Sequence, residues 1–439
     1  MKTSRSPVVL AAVVIAAQVI LFPSTSAGGR PLSTLRPAAL RRQSWPRSPR
    51  LFEPYEVLVR FELSASHRAR SGAIASIRAT SAPVRGTGLM KLRLPEGASV
   101  REVVRELRSQ PGVAVAEPDY LYALDASPPN DPDLSQEWGL ADSGQSHDIA
   151  DAPFTPTTGL TGADANVLPA WDTTTGDPSV VIAVIDSGVD LTHPDLMPNI
   201  WVNTAEMAGT TGVDDDGNGF IDDVNGWDFV AGDNQPIPGH PHGTHVAGII
   251  AAAANDGVGM AGVCPRCTIM PLRVADDTGT VDDAAVIQAI HYAVRNGASI
   301  MNMSFGGQAW SPLMRAAIKQ AGASGVLAVV AAGNSASDND SLFIDGAGHL
   351  HSPSYPASFD LPTIISVAAS TDHDRYGFAT GCAMSFGAST CLFTNRGHDS
   401  VDLAAPGVDI YSAYPGGTYV MDDGTSMAAP FVSGVAGLI

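Results

Sequence analysis

Apolar and polar positions alternate in several different ways along this chain. Val8 to Phe22 is apolar apart from Gln18, with Lys2 and Arg5 before it, Pro23 after it, and the small residues Thr25-Ser26-Ala27 beyond. This is the layout of an export signal over residues 1–27, with a core short for a bilayer span; an uncleaved anchor is the alternative. Residues 28–50 are rich in Pro, Arg and Ser without periodicity and read as a disordered linker. Strand-like runs follow at Glu56–Phe61 and Gly88–Leu94, the second alternating apolar and basic residues. The period then becomes helical. Val100, Val103, Val104 and Leu107 form one stripe, Ser99 can cap it with Glu102 three residues on, and Gly112 follows its end. Further strand is expected at Val113–Ala116 and Tyr120–Ala123. The result is a small α+β unit over 51–124, near the lower size limit for an independent core. Residues 125–136, dense in Pro, Asp and Asn, read as a linker or processing region.

From 137 to 439 the rhythm is that of a larger core. The continuous apolar run Val180–Ile185 is that of a strand buried on both faces, Ile269–Val274 reads as a strand, and Ile300–Met303, Val326–Ala331 and Ile364–Ala368 read as further buried strands. Helical segments fall between them at Thr244–Ala254, Val281–Asn296 and Pro312–Ala323. This alternation predicts an α/β fold, a mostly parallel sheet sandwiched by helices. A last apolar, small-residue run, Ala428 to Ile439, predicts a buried helix.

Charge sharpens the two-part division. Residues 1–110 hold 18 of the 25 Lys and Arg but 6 of the 45 Asp and Glu, a balance of +12 against −32 for the remainder. A basic front on an acidic body suggests one part folding against the other, and it argues against nucleic acid as a partner of the body. An acidic surface that only confers solubility is the plainer alternative. The four cysteines of an exported chain read as two disulfides, Cys264 with Cys267 and Cys382 with Cys391. Cys264-Pro265-Arg266-Cys267 also has the spacing of a redox motif or half a zinc site.

Four stretches carry candidate chemistry. Asp186 ends the first buried strand, where ligands collect in open parallel sheets. His242 opens the next strong helix, in His242-Gly243-Thr244-His245, and a carboxylate at Asp186 can hold its ring. Asn334 ends another strand, in Ala331-Ala332-Gly333-Asn334, with an amide able to donate to an oxyanion. Ser426, in Gly424-Thr425-Ser426-Met427-Ala428-Ala429-Pro430, stands on the turn into the last helix. Taken alone it is an ordinary helix cap; with the other three it is a nucleophile candidate.

Together these stretches, in the order Asp, His, Ser, resemble the subtilisin-like serine proteases over about residues 130–439. The resemblance implies that Ser426 attacks the scissile carbonyl and that His242 takes and returns its proton. It implies that Asp186 orients His242, while Asn334 and the Ser426 N–H hold the oxyanion. His245 is expected to be structural. An extended peptide would lie along Ser304-Phe305-Gly306 on one side and Gly279-Thr280-Val281 on the other, with Ala332 and Gly333 beside it. Ser335 falls near the bottom of the primary specificity pocket and implies a broad, mainly apolar preference. Asp195 falls where the family often has a calcium ligand. Gly112–Tyr120 resembles the end of the family's inhibitory propeptide, so the own propeptide is an expected partner beside polypeptide substrates.

The residues themselves suggest a further calcium loop in Asp214–Asp222. Asp214, Asp216, Asn218 and Asp222 supply oxygens at alternate positions, the Phe220 carbonyl adds another, and Gly219 makes the turn. Position twelve is Asn225 rather than Glu, so a full EF-hand is not expected; an unliganded acidic turn is the alternative. The sequence thus reads as a secreted, monomeric, calcium-stabilised serine endopeptidase made as a zymogen, free of the membrane once its signal is removed. A non-catalytic relative of the fold and a glycosidase with paired carboxylates are the rivals. The chain ends soon after Ser426, inside the last helix, where the family's domain continues, so a C-terminally truncated piece is expected, unstable or inactive alone although the full-length protein is a protease.

Overall fold

In the computed structural model of the chain, the described residues are 52–62, 64–95, 97–120, 129–145, 159–344, 350–380 and 390–439. The expected export signal, the linker over 28–50, residues 121–128 and Cys382 lie outside them, as does the side chain of Cys391. The described residues divide into two compact units, which meet in the chain between Ser127 and Pro128.

The smaller unit is a four-stranded antiparallel sheet with two helices. Its strands are Phe52–Phe61, Thr80–Val84, Leu89–Arg93 and Val113–Tyr120, and the strand beginning at Phe52 pairs with both of the last two. The helix Val100–Arg108 forms where the stripe predicts it, with Ser99 Oγ accepting from the Glu102 N–H. Val100, Val104 and Leu107 pack onto Val57, Val59 and Leu92. The helix His67–Ser76 and strand Thr80–Val84 had no visible pattern, because they bury little: Ala73 is the helix's one fully buried residue, and the strand has none.

The larger unit is built on a seven-stranded parallel sheet. The order across it is Leu403–Pro406, Ile364–Ser370, Leu327–Ala331, Ile300–Met303, Val181–Asp186, Thr268–Arg273 and Trp227–Asp228. Its apolar strands are covered on both faces. Ile182, Val184, Val329 and Val367 meet the helices His242–Ala251 and Thr425–Gly437 on one side. Ala183, Ile185, Met301 and Val330 meet Asp283–Arg295 and Pro312–Ala323 on the other. A hairpin of Ile410–Tyr414 and Thr418–Asp422 leads directly into the last helix. The Cys264 and Cys267 sulfurs are bonded to each other and buried in the first of these cores.

Candidate active site

Strand Val181–Asp186 delivers Asp186 to the carboxyl edge of the sheet, and helix His242–Ala251 begins opposite it. The two approach closely because residue 243 is glycine: a Cβ there would stand 2.3 Å from the Gly188 carbonyl and 3.2 Å from Asp186 Oδ1. His242 Nδ1 lies 2.8 Å from Asp186 Oδ1, which also accepts the Ser187 N–H at 2.7 Å. A carboxylate accepts only, so the imidazole donates from Nδ1 and keeps Nε2 free as a base. Burial opposes the imidazolium, but the charge and hydrogen bond of Asp186, with the charge of Asp422, outweigh it and hold the His242 pKa above its ordinary value.

Ser426 is the second residue of its helix, so its backbone N–H is one of the unpaired donors at the helix start. Its hydroxyl donates to the Ser304 carbonyl at 2.9 Å, and Ser304 Oγ donates back to the Ser426 carbonyl at 2.9 Å. Buried Asn302 supports this exchange. Its Nδ2 donates to Ser304 Oγ at 2.9 Å, and its Oδ1 accepts from Ser433 of the same last helix at 2.8 Å. Asn334 is oriented just as firmly. Its Oδ1 accepts from both the Thr425 N–H, at 2.9 Å, and Thr425 Oγ1, at 2.8 Å. The amide nitrogen is thereby turned away from Thr425 and left to donate. Thr425 Oγ1 in turn accepts the Gly333 N–H at 3.1 Å.

A pocket of about 230 Å³ opens beside Ser426. Phe305, Gly306, Gly333, Ser335, Ser354 and Asn395 are among its walls, and among the described residues no charged side chain lines it. Gly306 and Gly333 are required by the protein itself. A Cβ at Gly306 would meet Ser354 Oγ at 2.7 Å, and one at Gly333 would meet Asn395 Nδ2 at 2.5 Å. Ala332 is fully buried behind the pocket, its carbonyl taking amide donors from Asn339 and Asn395. Gly279, Thr280 and Val281 are absent from this lining. They lie in a separate loop, tied by Asp276 Oδ1 to the Thr278 and Thr280 N–H groups, and a Cβ at Gly279 would stand 4.0 Å from His240. His245 is structural in its bonding: Nε2 reaches the Ile410 and Val420 carbonyls at 3.1 and 3.2 Å, and burial pushes its pKa down to about 4.

In the acidic loop the carboxylates first take up the backbone N–H groups of the turn. Asp214 turns both oxygens onto the N–H groups of Gly217, Asn218 and Gly219, and Asp222 accepts from Gly212. The Phe220 ring packs against Trp227, Phe229 and Tyr292. Asp216 is instead gathered with Glu206 and Asp223, their oxygens within 4.8 Å of one another. Asn218 Nδ2 bridges Asp216 and Asp223 at 3.1 and 2.9 Å. Asp195 is elsewhere. It is wholly buried, with Oδ2 accepting from Met260 and Tyr419 and Oδ1 without a partner.

Thr425, Asn302 and Ser433 escaped the sequence reading. The one visible signal was a polar Asn302 inside an otherwise apolar strand. The model of the subtilase family matches residues 177–439, and that of the fervidolysin N-terminal prodomain matches residues 49–119. The chain belongs to the subtilase family and is a subtilisin-like serine protease with a prodomain. It is 30% identical over 384 residues to a thermophilic serine proteinase of Bacillus sp. (strain AK1), covering 88% of this chain and 77% of that protein. Thermitase of Thermoactinomyces vulgaris is 35% identical over 271 residues, covering 62% of this chain and 77% of its own. Among solved structures, that of a cold adapted subtilisin-like serine proteinase aligns at 28% identity and a TM-score of 0.47, over 69% of this chain and 83% of that one. Among the described residues no helix is long and apolar enough to cross a membrane.

Proposed function

We propose that this chain is a secreted endopeptidase, made as a zymogen, that cleaves peptide bonds through an acyl-enzyme on Ser426. The observation that carries the reading is the 2.8 Å pair of His242 and Asp186, with Ser426 at the start of a helix and the Asn334 amide locked beside it. The Ser426 hydroxyl would leave the Ser304 carbonyl and turn to His242 Nε2, which would accept its proton as Oγ attacks the carbonyl. The developing oxyanion is met by the Ser426 N–H and Asn334 Nδ2. His242 then protonates the leaving amine, and water reverses the sequence to release the acid. An extended substrate strand would run between the Ser304–Gly306 and Gly279–Val281 edges, with an uncharged side chain in the pocket. The prodomain is the natural inhibitor of the larger unit until it is cut away.

Calcium fits two places. The unpartnered, fully buried Asp195 Oδ1 is a carboxylate oxygen lacking a cation or donor. Glu206, Asp216 and Asp223 form a carboxylate group suited to a hard divalent ion. Bound there, calcium would offset the repulsion among these carboxylates and stiffen their loops, away from the reaction.

An active-serine phosphonate probe with a casein assay tests the reading. The expected result is labelling and turnover that both vanish in Ser426→Ala. Casein cleavage that survives Ser426→Ala overturns it.

A further inference from the structure

The helix that carries the nucleophile has a proline inside it. Pro430 stands within Thr425–Gly437, four residues after Ser426. An α-helix pairs each carbonyl with the N–H four residues on, and proline has no N–H. The carbonyl left without its regular donor is therefore that of Ser426 itself. A buried carbonyl without a donor is costly. Ser304 Oγ takes the place of the missing group, donating to the Ser426 carbonyl at 2.9 Å. Ser304 directly follows the strand Ile300–Met303 and is 3% exposed.

The direction of that hydroxyl is set from the core. Asn302 Nδ2 donates to Ser304 Oγ at 2.9 Å, so the serine's own proton is left for the Ser426 carbonyl. Asn302 Oδ1 accepts from Ser433 Oγ at 2.8 Å, which fixes the way round the amide stands. Asn302 and Ser433 are fully buried, and neither lines the pocket beside Ser426. In the sheet Asn302 lies between Val184, on the strand that ends at Asp186, and Val329, on the strand that leads to Asn334. Ser433 is about two turns beyond Ser426 on the same helix. The start of the helix is thus braced from the centre of the sheet and from a point further along its own length.

We propose that Ser304 is a positioning residue for the nucleophile: its hydroxyl replaces the N–H that Pro430 lacks, and Asn302 and Ser433 hold it to that role. The inference rests on the endopeptidase reading above. Holding the Ser426 carbonyl fixes ψ of that residue, and with it the directions in which its Oγ and its N–H leave the backbone. On the other side, the N–H of Thr425 is anchored to Asn334 Oδ1 at 2.9 Å. Tied on both sides, Ser426 presents hydroxyl and oxyanion donor together, without reorganisation at the moment of attack. The proline frees the carbonyl to be tied to the sheet instead of to its own helix.

The test is a double-mutant cycle between Ser304→Ala and Pro430→Ala, read as kcat and KM for a peptide anilide, with active-site titration to count functional serines. With Pro430 present, Ser304→Ala leaves the carbonyl unpaired and lowers kcat per titrated site about 5- to 50-fold, while KM changes less than about twofold. In the Pro430→Ala background residue 430 supplies an N–H of its own, and Ser304→Ala costs less than about threefold. Ser433→Ala, remote from substrate, lowers kcat about threefold where Ser304 is present and costs less than about 1.5-fold in the Ser304→Ala enzyme. An equal loss from Ser304→Ala in both proline backgrounds overturns the proposal, as do additive losses from Ser304→Ala and Ser433→Ala. Fewer titrated sites with wild-type kcat per site, in Ser304→Ala or in Ser433→Ala, also overturns it, because the hydroxyls would then serve stability alone. A wild type that hydrolyses no anilide and takes no active-serine label overturns the endopeptidase reading instead.

Discussion

Thr425→Val removes two hydrogen bonds and little else. The methyl replaces a hydroxyl of similar volume, and the backbone N–H of residue 425 still reaches Asn334 Oδ1 at 2.9 Å. The bond from Thr425 Oγ1 to that oxygen, 2.8 Å long, is lost, and the Gly333 N–H loses its 3.1 Å acceptor. A neutral hydrogen bond contributes about 0.5–1.5 kcal/mol net. If that energy serves to hold the amide at the oxyanion, kcat falls about threefold to tenfold. Asn334→Ala removes the donor itself and costs about 10²–10³-fold. The two losses act through one group, so they are not additive: in an Asn334→Ala background, Thr425→Val costs less than about twofold. The assay is steady-state hydrolysis of a peptide anilide by the four enzymes, with active-site titration to count folded sites. An equal loss from Thr425→Val in both backgrounds refutes the argument, because Thr425 would then act independently of Asn334.

Three further outcomes follow from the charges. His242 must be neutral to act as a base, and its pKa is raised, so kcat/KM falls on acidification through a midpoint above the ordinary histidine value. Asp186→Asn lowers both the rate and that midpoint; an unchanged midpoint contradicts the pairing. In Ser426→Ala protein, which cannot digest itself, calcium at about 100 times its Kd raises Tm by roughly 5–10 °C. Asp195→Asn weakens this response, and an identical calcium titration refutes Asp195 as a ligand. Burial, then the charges of Asp423 and Asp372, push Asp409 up to about 6. Its folded form binds the proton more tightly than its unfolded form, so its contribution to stability falls as pH rises from about 4 to about 6 and stays lost above that. Its φ of 52° is one that asparagine tolerates. Asp409→Asn in the same inactive background should raise Tm by about 2 °C at pH 8, with the gain gone near pH 4; a gain of equal size at both pH values refutes the linkage.

Strands buried on both faces, and helices with one apolar stripe, were legible because burial imposes a pattern on neighbouring positions. Ile300–Met303 and Pro312–Ala323 fall where the pattern sets them. Leu403–Pro406 is mostly Ala and Pro, and the hairpin before the last helix pairs a largely buried strand with a largely exposed one, so neither imposes one. In the small unit the helix His67–Ser76 was invisible for the opposite reason: it is mostly solvated.

By itself the sequence determined the chemical groups, because Asp186, His242, Asn334 and Ser426 sit in short stretches whose small residues and strand or helix ends are local properties. Tertiary structure decided how those groups are held. Thr425 meets Asn334 across 91 residues, Ser304 meets Ser426 across 122, and Asn302 meets Ser433 across 131. It also decided which acids gather: Glu206 and Asp223 join Asp216, while Asp214 and Asp222 turn to backbone N–H groups. Hydrogen bonds and carboxylate clusters form between atoms a few ångströms apart. Separation along the chain carries no record of that distance until the sheet and its helices are packed.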